Sequence, residues 1–134
     1  MKRVVVIADH PVAVQAIRLA LRHTAGFRVL ATLDGRASVR AGLSELQPEI
    51  VLIDEMCQRT NALARLREAE EAAPDATVVL LSGGMDASTL DDAFEAGAQA
   101  VISRQLHPLT LGTLLREVVH GTVVVHAPAV RTSA

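Results

Sequence analysis

The chain has 134 residues, enough for one domain with a sizeable core, and half of them are apolar. Phe27 and Phe94 are its only aromatic side chains and its formal net charge is −2, which leaves neither a base-stacking platform nor a basic footprint for nucleic acid. A single cysteine, Cys57, excludes an internal disulfide and a multi-cysteine metal site. Apolar runs of about five to seven residues are too short for a bilayer, and Asp9 interrupts the first one too early for a secretory signal. The expectation is a soluble, cytoplasmic protein.

Residues 3–8 predict a first strand, which Asp9-His10-Pro11 breaks. Pro11 suits the first turn of a helix, and Val14, Ile17 and Leu21 recur at helical spacing to about His23. Gly26 ends that helix. Residues 27–32 form a second strand, less apolar and so expected at the sheet edge. Val39, Leu43 and Leu46 define the next helix, stopped by Pro48. Ile50-Val51-Leu52-Ile53 is an uninterrupted apolar run, the mark of a strand covered on both faces, and it ends on Asp54. A polar loop, 58–61, leads to a charged helix with Leu63, Leu66 and Ala69 inward; its run 65–71 reads as a solvated face laced by i,i+4 pairs. The fourth strand, 76–81, closes on Ser82-Gly83-Gly84. Asp86 or Ser88 can cap a helix whose inner face is Leu90, Ala93 and Phe94, ended by Gly97. Ala100–Ser103 is a short fifth strand, and Pro108 opens a last helix with Leu111, Leu114, Leu115 and Val118 inward.

Strands and helices thus alternate five times, which predicts an α/β fold: a doubly wound, five-stranded parallel sheet, (βα)5, with helices on both faces and right-handed crossovers. No glycine-rich phosphate loop follows the first strand, so a dinucleotide fold is not expected. After Gly121 the pattern changes: residues 122–126 are β-prone, then Ala127-Pro128 opens a small-residue tail. The domain is expected to span 1–120, with 121–134 a linker toward a missing effector domain or a paired terminus. Three strands close on Asp9, Asp54 and Ser82. Such ends are where open α/β sheets build their sites.

Val5-Val6-Ile7-Ala8-Asp9-His10-Pro11, Pro48-Glu49-Ile50-Val51-Leu52-Ile53-Asp54, Leu80-Leu81-Ser82-Gly83 and Gly97-Ala98-Gln99-Ala100-Val101-Ile102-Ser103-Arg104 resemble, in order and spacing, a bacterial response-regulator receiver domain, CheY-like and flavodoxin-like in fold. Asp9-His10-Pro11 and Gly121-Thr122-Val123-Val124-Val125-His126-Ala127-Pro128 resemble the NarL/LuxR branch, where a helix-turn-helix DNA-binding domain usually follows. The resemblance implies phosphoryl transfer from a histidine kinase, or a small phosphodonor, to Asp54. It implies Mg²⁺ held by Asp9, Asp54 and the backbone carbonyl of Met56, in keeping with an ion that takes oxygen ligands and retains waters. Ser82 matches the hydroxyl that meets the phosphoryl group, and Gly83 a position that stays small for access.

The departures from that pattern imply an atypical site. The first of the family's paired acids is Ala8, so Mg²⁺ is expected to bind weakly. The family's lysine is Arg104, a wide planar fork in place of a compact ammonium, and it is expected to meet Asp54 in a salt bridge. Val101 stands at the aromatic switch position, Gln58 where a proline shapes the loop, and Ala62 where a glycine sits. His10 reads as a residue shaping its loop, His23, His107, His120 and His126 as surface residues, and Cys57 as an inert thiol.

The expected function is a receiver domain in a two-component system, not itself an enzyme, that controls homodimerisation and a DNA-binding effector, with DNA reached only through that separate domain. The partner surface is expected on the fourth and fifth helices, and the small residues of 108–119, with Ile17 and Leu21 on the first helix, offer a dimer seam. The alternatives are a phosphorylation-independent pseudo-receiver governed by protein contact or a small molecule, and a small Mg²⁺-dependent phosphohydrolase using Asp9 and Asp54.

Overall fold

Each strand alternates its side chains between two apolar layers, and this fixes the architecture. In a computed structural model describing residues 1–55, 58–105 and 108–126, the strands are β1 (Lys2–Ala8), β2 (Phe27–Asp34), β3 (Ile50–Asp54), β4 (Thr77–Ser82), β5 (Ala100–Ser103) and β6 (Val125–His126). They form one parallel sheet in the order β2-β1-β3-β4-β5-β6. The five-stranded sheet expected from sequence is there, and the β-prone run near the end adds a two-residue edge strand beside Val101 and Ile102. β2 does lie at the other edge, and its side chains are mostly half-buried.

The helices are α1 (Pro11–Arg22), α2 (Arg40–Leu46), α3 (Arg59–Ala72), α4 (Ala87–Glu95) and α5 (Pro108–Val119). Val4, Val6, Ile50 and Leu52 face α1 and α5, meeting Ile17, Leu21, Leu111 and Leu115. Their neighbours Val5, Ile7, Val51 and Ile53 face α2, α3 and α4, meeting Leu43, Leu66 and Ala93. β3 is covered on both faces, which is why its sequence is apolar without alternation. Gly112 lets α5 lie close to the chain just past α1: a Cβ there would collide with the Thr24 side chain.

Local signals place most boundaries. Pro11 sits in the first turn of α1, whose N-cap is His10, with Nδ1 accepting the Val12 N–H at 3.1 Å; this is the loop-shaping role expected of that histidine. Asp86 occupies the N-cap position of α4, and its carboxylate accepts the Thr89 hydroxyl. α2 stops before Pro48, at Gln47, which takes a left-handed conformation with φ 43°.

One expectation is corrected. The charged run on α3 is not wholly a solvated face, because Glu68 is buried and Arg65 nearly so. They pair at i,i+3 with 2.9 Å between Arg65 Nε and Glu68 Oε1. The contact is out of line for a hydrogen bond: Arg65 Nε and Nη1 are buried with no hydrogen-bond partner among the described residues. Glu68 turns inward because the start of α2 needs an acceptor: it takes the Val39 N–H at 3.3 Å and the Ser38 hydroxyl. Sequence periodicity on one helix cannot register a demand set by another.

Candidate functional site

The ladders bring four strand ends level. Ile7 pairs with Ile53, so Ala8 lies beside Asp54; Asp54 pairs with Leu81, so Glu55 lies beside Ser82; Ser82 pairs with Ser103, so Arg104 follows beside Gly83. β1 and β3 are the neighbours between which the strand order reverses, the place where doubly wound sheets leave a crevice.

Asp54 is buried at 3 % exposure although it ends its strand. Arg104 Nε stands 3.1 Å from Asp54 Oδ1, and the arginine side chain is 43 % exposed, so its far end reaches water. The Arg104 backbone N–H donates to Ser82 O at 2.9 Å and ties the two strand ends together. A charge-assisted contact of this kind occupies a carboxylate lone pair and lowers its nucleophilicity.

Ser82 is fully buried. Its hydroxyl can donate to the Glu55 carboxylate or to Gly84 O at 2.7 Å, while the Gly84 N–H donates to Ser82 Oγ at 3.2 Å. A hydroxyl has one proton, so the two acceptors compete for it. Glu55 Oε2 also accepts the Gly83 N–H at 2.9 Å. Sequence reasoning passed over Glu55. The signal for it was a second carboxylate directly after Asp54, legible only once the β3–β4 register sets it opposite Ser82.

Asp9 is half-buried and lines a cleft of about 370 Å³ with Ala8, His10, Asp34 and Arg36. The cleft lies beside Asp9 and is not lined by Asp54. Arg36 is hydrogen-bonded to Asp34 and held in its charged form by that carboxylate and, more weakly, by Asp9. Asp54, Ser82, Arg104 and Glu55 thus gather at the ends of β3, β4 and β5, with Asp9 just past the end of β1. Met56, Cys57 and His107 lie outside the described residues, as do Ala127-Pro128 and the tail. His23 and His120 are exposed, as expected of surface residues. Among the described residues no group of three or more His, Cys, Asp or Glu forms a metal cluster, and no helix is long and apolar enough to cross a membrane.

Comparison with known proteins agrees with the fold. A protein-glutamate methylesterase/protein-glutamine glutaminase of Cereibacter sphaeroides is 33% identical over 103 residues, which is 76% of this chain and 28% of that protein. The chain therefore spans little more than a quarter of that relative's length. A LuxR-family two-component response regulator from Aurantimonas sp. SI85-9A1 superposes with a TM-score of 0.81 at 20% identity, covering 96% of this chain and 91% of that one. The signal receiver domain of the response regulator NarL from Mycobacterium tuberculosis gives 0.78 at 19% identity, covering 90% and 97%. Residues 4–116 match the response regulator receiver domain, and the chain belongs to that family.

Proposed function

We propose that this receiver domain accepts a phosphoryl group on Asp54 and passes the change to an effector, in the manner of the NarL/LuxR branch. The carrying observation is the Asp54 carboxylate, buried at a strand end with Arg104 at 3.1 Å and Ser82 on the neighbouring strand. Receiver domains are regulatory and work with histidine kinases. In the transfer, an Asp54 oxygen forms the new bond to phosphorus as the bond to the donor breaks. The donor is a phosphorylated kinase histidine or acetyl phosphate, and the imidazole nitrogen or acetate oxygen leaves with the electron pair of the broken bond to phosphorus. Arg104 neutralises part of the charge on the phosphoryl oxygens, and Ser82 hydrogen-bonds one of them.

Receiver domains take Mg²⁺ at this place, and two carboxylates from adjacent strands are a donor set suited to a hydrated, oxygen-seeking cation. Asp9, Asp54 and the Met56 carbonyl would hold it, and when bound it would offset the negative charge of acceptor and phosphoryl group. With Ala8 in place of an acid, binding is weak, and the site is atypical for its family. Self-association through a surface on α4 and α5, since Ile17 and Leu21 of α1 are buried against the sheet, and DNA contact through a separate effector complete the reading.

One observation favours a second reading, a pseudo-receiver that works without phosphorylation. Arg104 is already paired with the Asp54 carboxylate, the kind of contact that it would otherwise make to a phosphoryl group. Intact mass after incubation with acetyl phosphate and Mg²⁺ decides between them. One added phosphoryl group, absent from Asp54→Asn, supports the first reading. An inert protein that gains phosphorylation with Ala8→Asp and Arg104→Lys together, more than with either alone, supports the second.

A further inference from the structure

Glu55 has no part in the reading above, yet its carboxylate meets the Ser82 hydroxyl, which would receive a phosphoryl oxygen, and the Gly83 N–H next to it. Oε2 accepts the Gly83 N–H at 2.9 Å and, in competition with Gly84 O, the Ser82 hydroxyl. The Glu55 backbone is fixed by its N–H to Leu81 O at 2.9 Å, so the side chain starts from a defined place at the end of β3. Over Gly83 the space is shared: a Cβ there would stand 3.9 Å from Arg104 Cδ and 4.0 Å from Glu55 Oε1.

We propose that Glu55 is a carboxylate plug, an internal anion seated in the Ser82–Gly83 cradle that a phosphoryl group or other tetrahedral oxyanion must displace. The proposal rests on the reading of Ser82 as a phosphoryl-binding group, to which the adjacent Gly83 N–H adds a second donor on the same face. A carboxylate and a phosphoryl group offer the same acceptor chemistry, and one hydroxyl proton with one N–H serves a single anion at a time. Glu55 is half-buried, so its head can swing to water when displaced. Until then an arriving anion meets two carboxylates, Asp54 and Glu55, with both donors occupied and Arg104 engaged at Asp54. The plug therefore sets a threshold for occupancy of the cradle, separate from any loss of metal support at Ala8.

The test titrates inorganic phosphate against ¹⁵N-labelled Asp54→Asn protein, where no covalent chemistry intervenes, and follows the Gly83 amide. Adding Glu55→Ala tightens phosphate binding at least about tenfold, as expected when a charge-assisted hydrogen bond is no longer contested. Adding Glu55→Gln, which keeps the size and loses the charge, falls between, and thermal melts verify that each variant folds. Equal affinity across the three proteins, or no perturbation of Gly83 in any, overturns the plug. A parallel reaction of acetyl phosphate and Mg²⁺ with proteins retaining Asp54 reports on the acceptor. Faster labelling of Glu55→Ala than of wild type supports the plug. Absence of labelling in both, with phosphate still held more tightly once Glu55 is removed, dismisses Asp54 as acceptor and leaves the plug standing.

Discussion

Asp54 and Glu68 are buried to nearly the same depth, 3 % and 5 % exposed, and are surrounded in different ways. Glu68 sits mid-helix on α3, with Arg65 Nε at 2.9 Å, Arg40 Nε at 3.2 Å, the Val39 N–H at 3.3 Å and the Ser38 hydroxyl around it. Arg65, the Val39 N–H and Ser38 belong to α3 and the loop before α2 and stay in place as long as the fold does, while Arg40, 53 % exposed, is the one partner there that can turn to water. Asp54 sits at a strand end, and Arg104 reaches it with a long side chain whose far end is in water. A buried carboxylate becomes a candidate site when its partners can be exchanged for a ligand; fixed partners make it a clamp.

The largest effect separates the two chemically. Asp54→Asn is expected to abolish phosphorylation by acetyl phosphate in intact-mass measurements, with the fold retained, whereas Glu68→Gln is expected to keep it. Labelling that survives Asp54→Asn would remove the functional half of the contrast.

Stability should show the reverse order. Glu68→Ala leaves Arg65 as a buried cation without its counter-charge and the start of α2 without its acceptor, a loss of about 3 kcal/mol. Urea unfolding should show a lower midpoint at an unchanged slope. Arg104→Ala should cost only about 1 kcal/mol, because water can enter where the half-exposed guanidinium lay. If Arg104→Ala proves the more damaging of the two, Arg104 is a structural clamp as well, and the distinction between exchangeable and fixed partners fails.

The difference also explains what could be read from the sequence. Asp54, Asp9 and Ser82 stood out because each ends an apolar run, and a run of consecutive apolar residues reports burial of a strand within its own few positions. The same local logic found β2 at the edge and the inward faces of α1 and α5. Glu68 and Glu55 were missed for a shared reason: their roles depend on partners 29 and 28 residues away, the Val39 N–H and the Gly83 N–H. A carboxylate in a charged run looks solvated until the neighbouring helix is placed, and a carboxylate after a strand end looks like part of a turn until the register is known. The β-prone run before Ala127 was ambiguous because only two residues of it pair, a gain too small to leave a distinct pattern.

The smallest effect supplies the exposed end of the comparison. Asp34, at the end of β2, accepts three hydrogen bonds from the Arg36 side chain, at 3.1, 3.1 and 2.7 Å, and one from its backbone N–H at 2.9 Å. The Arg36 side-chain hydrogen bonds are the main cause, its backbone N–H the next, of a carboxyl pKa lowered from 3.8 to about 2. A folded-state pKa below the unfolded one means that the pair stabilises the fold above about pH 4 and that this support is lost as the pH falls toward about 2. Both side chains are more than half exposed, so solvent and salt weaken the effect. Thermal melts from pH 5 to 2 should therefore show wild type slightly ahead of Asp34→Asn at the upper end, with the two curves converging at the lower end and drawing closer when salt is raised. The gap should be smaller than that for Arg104→Ala at the same pH. A gap as large as that produced by Glu68→Ala would mean that geometry alone sets the strength of a carboxylate's partners here, and that burial, on which the contrast between Asp54 and Glu68 depends, contributes little.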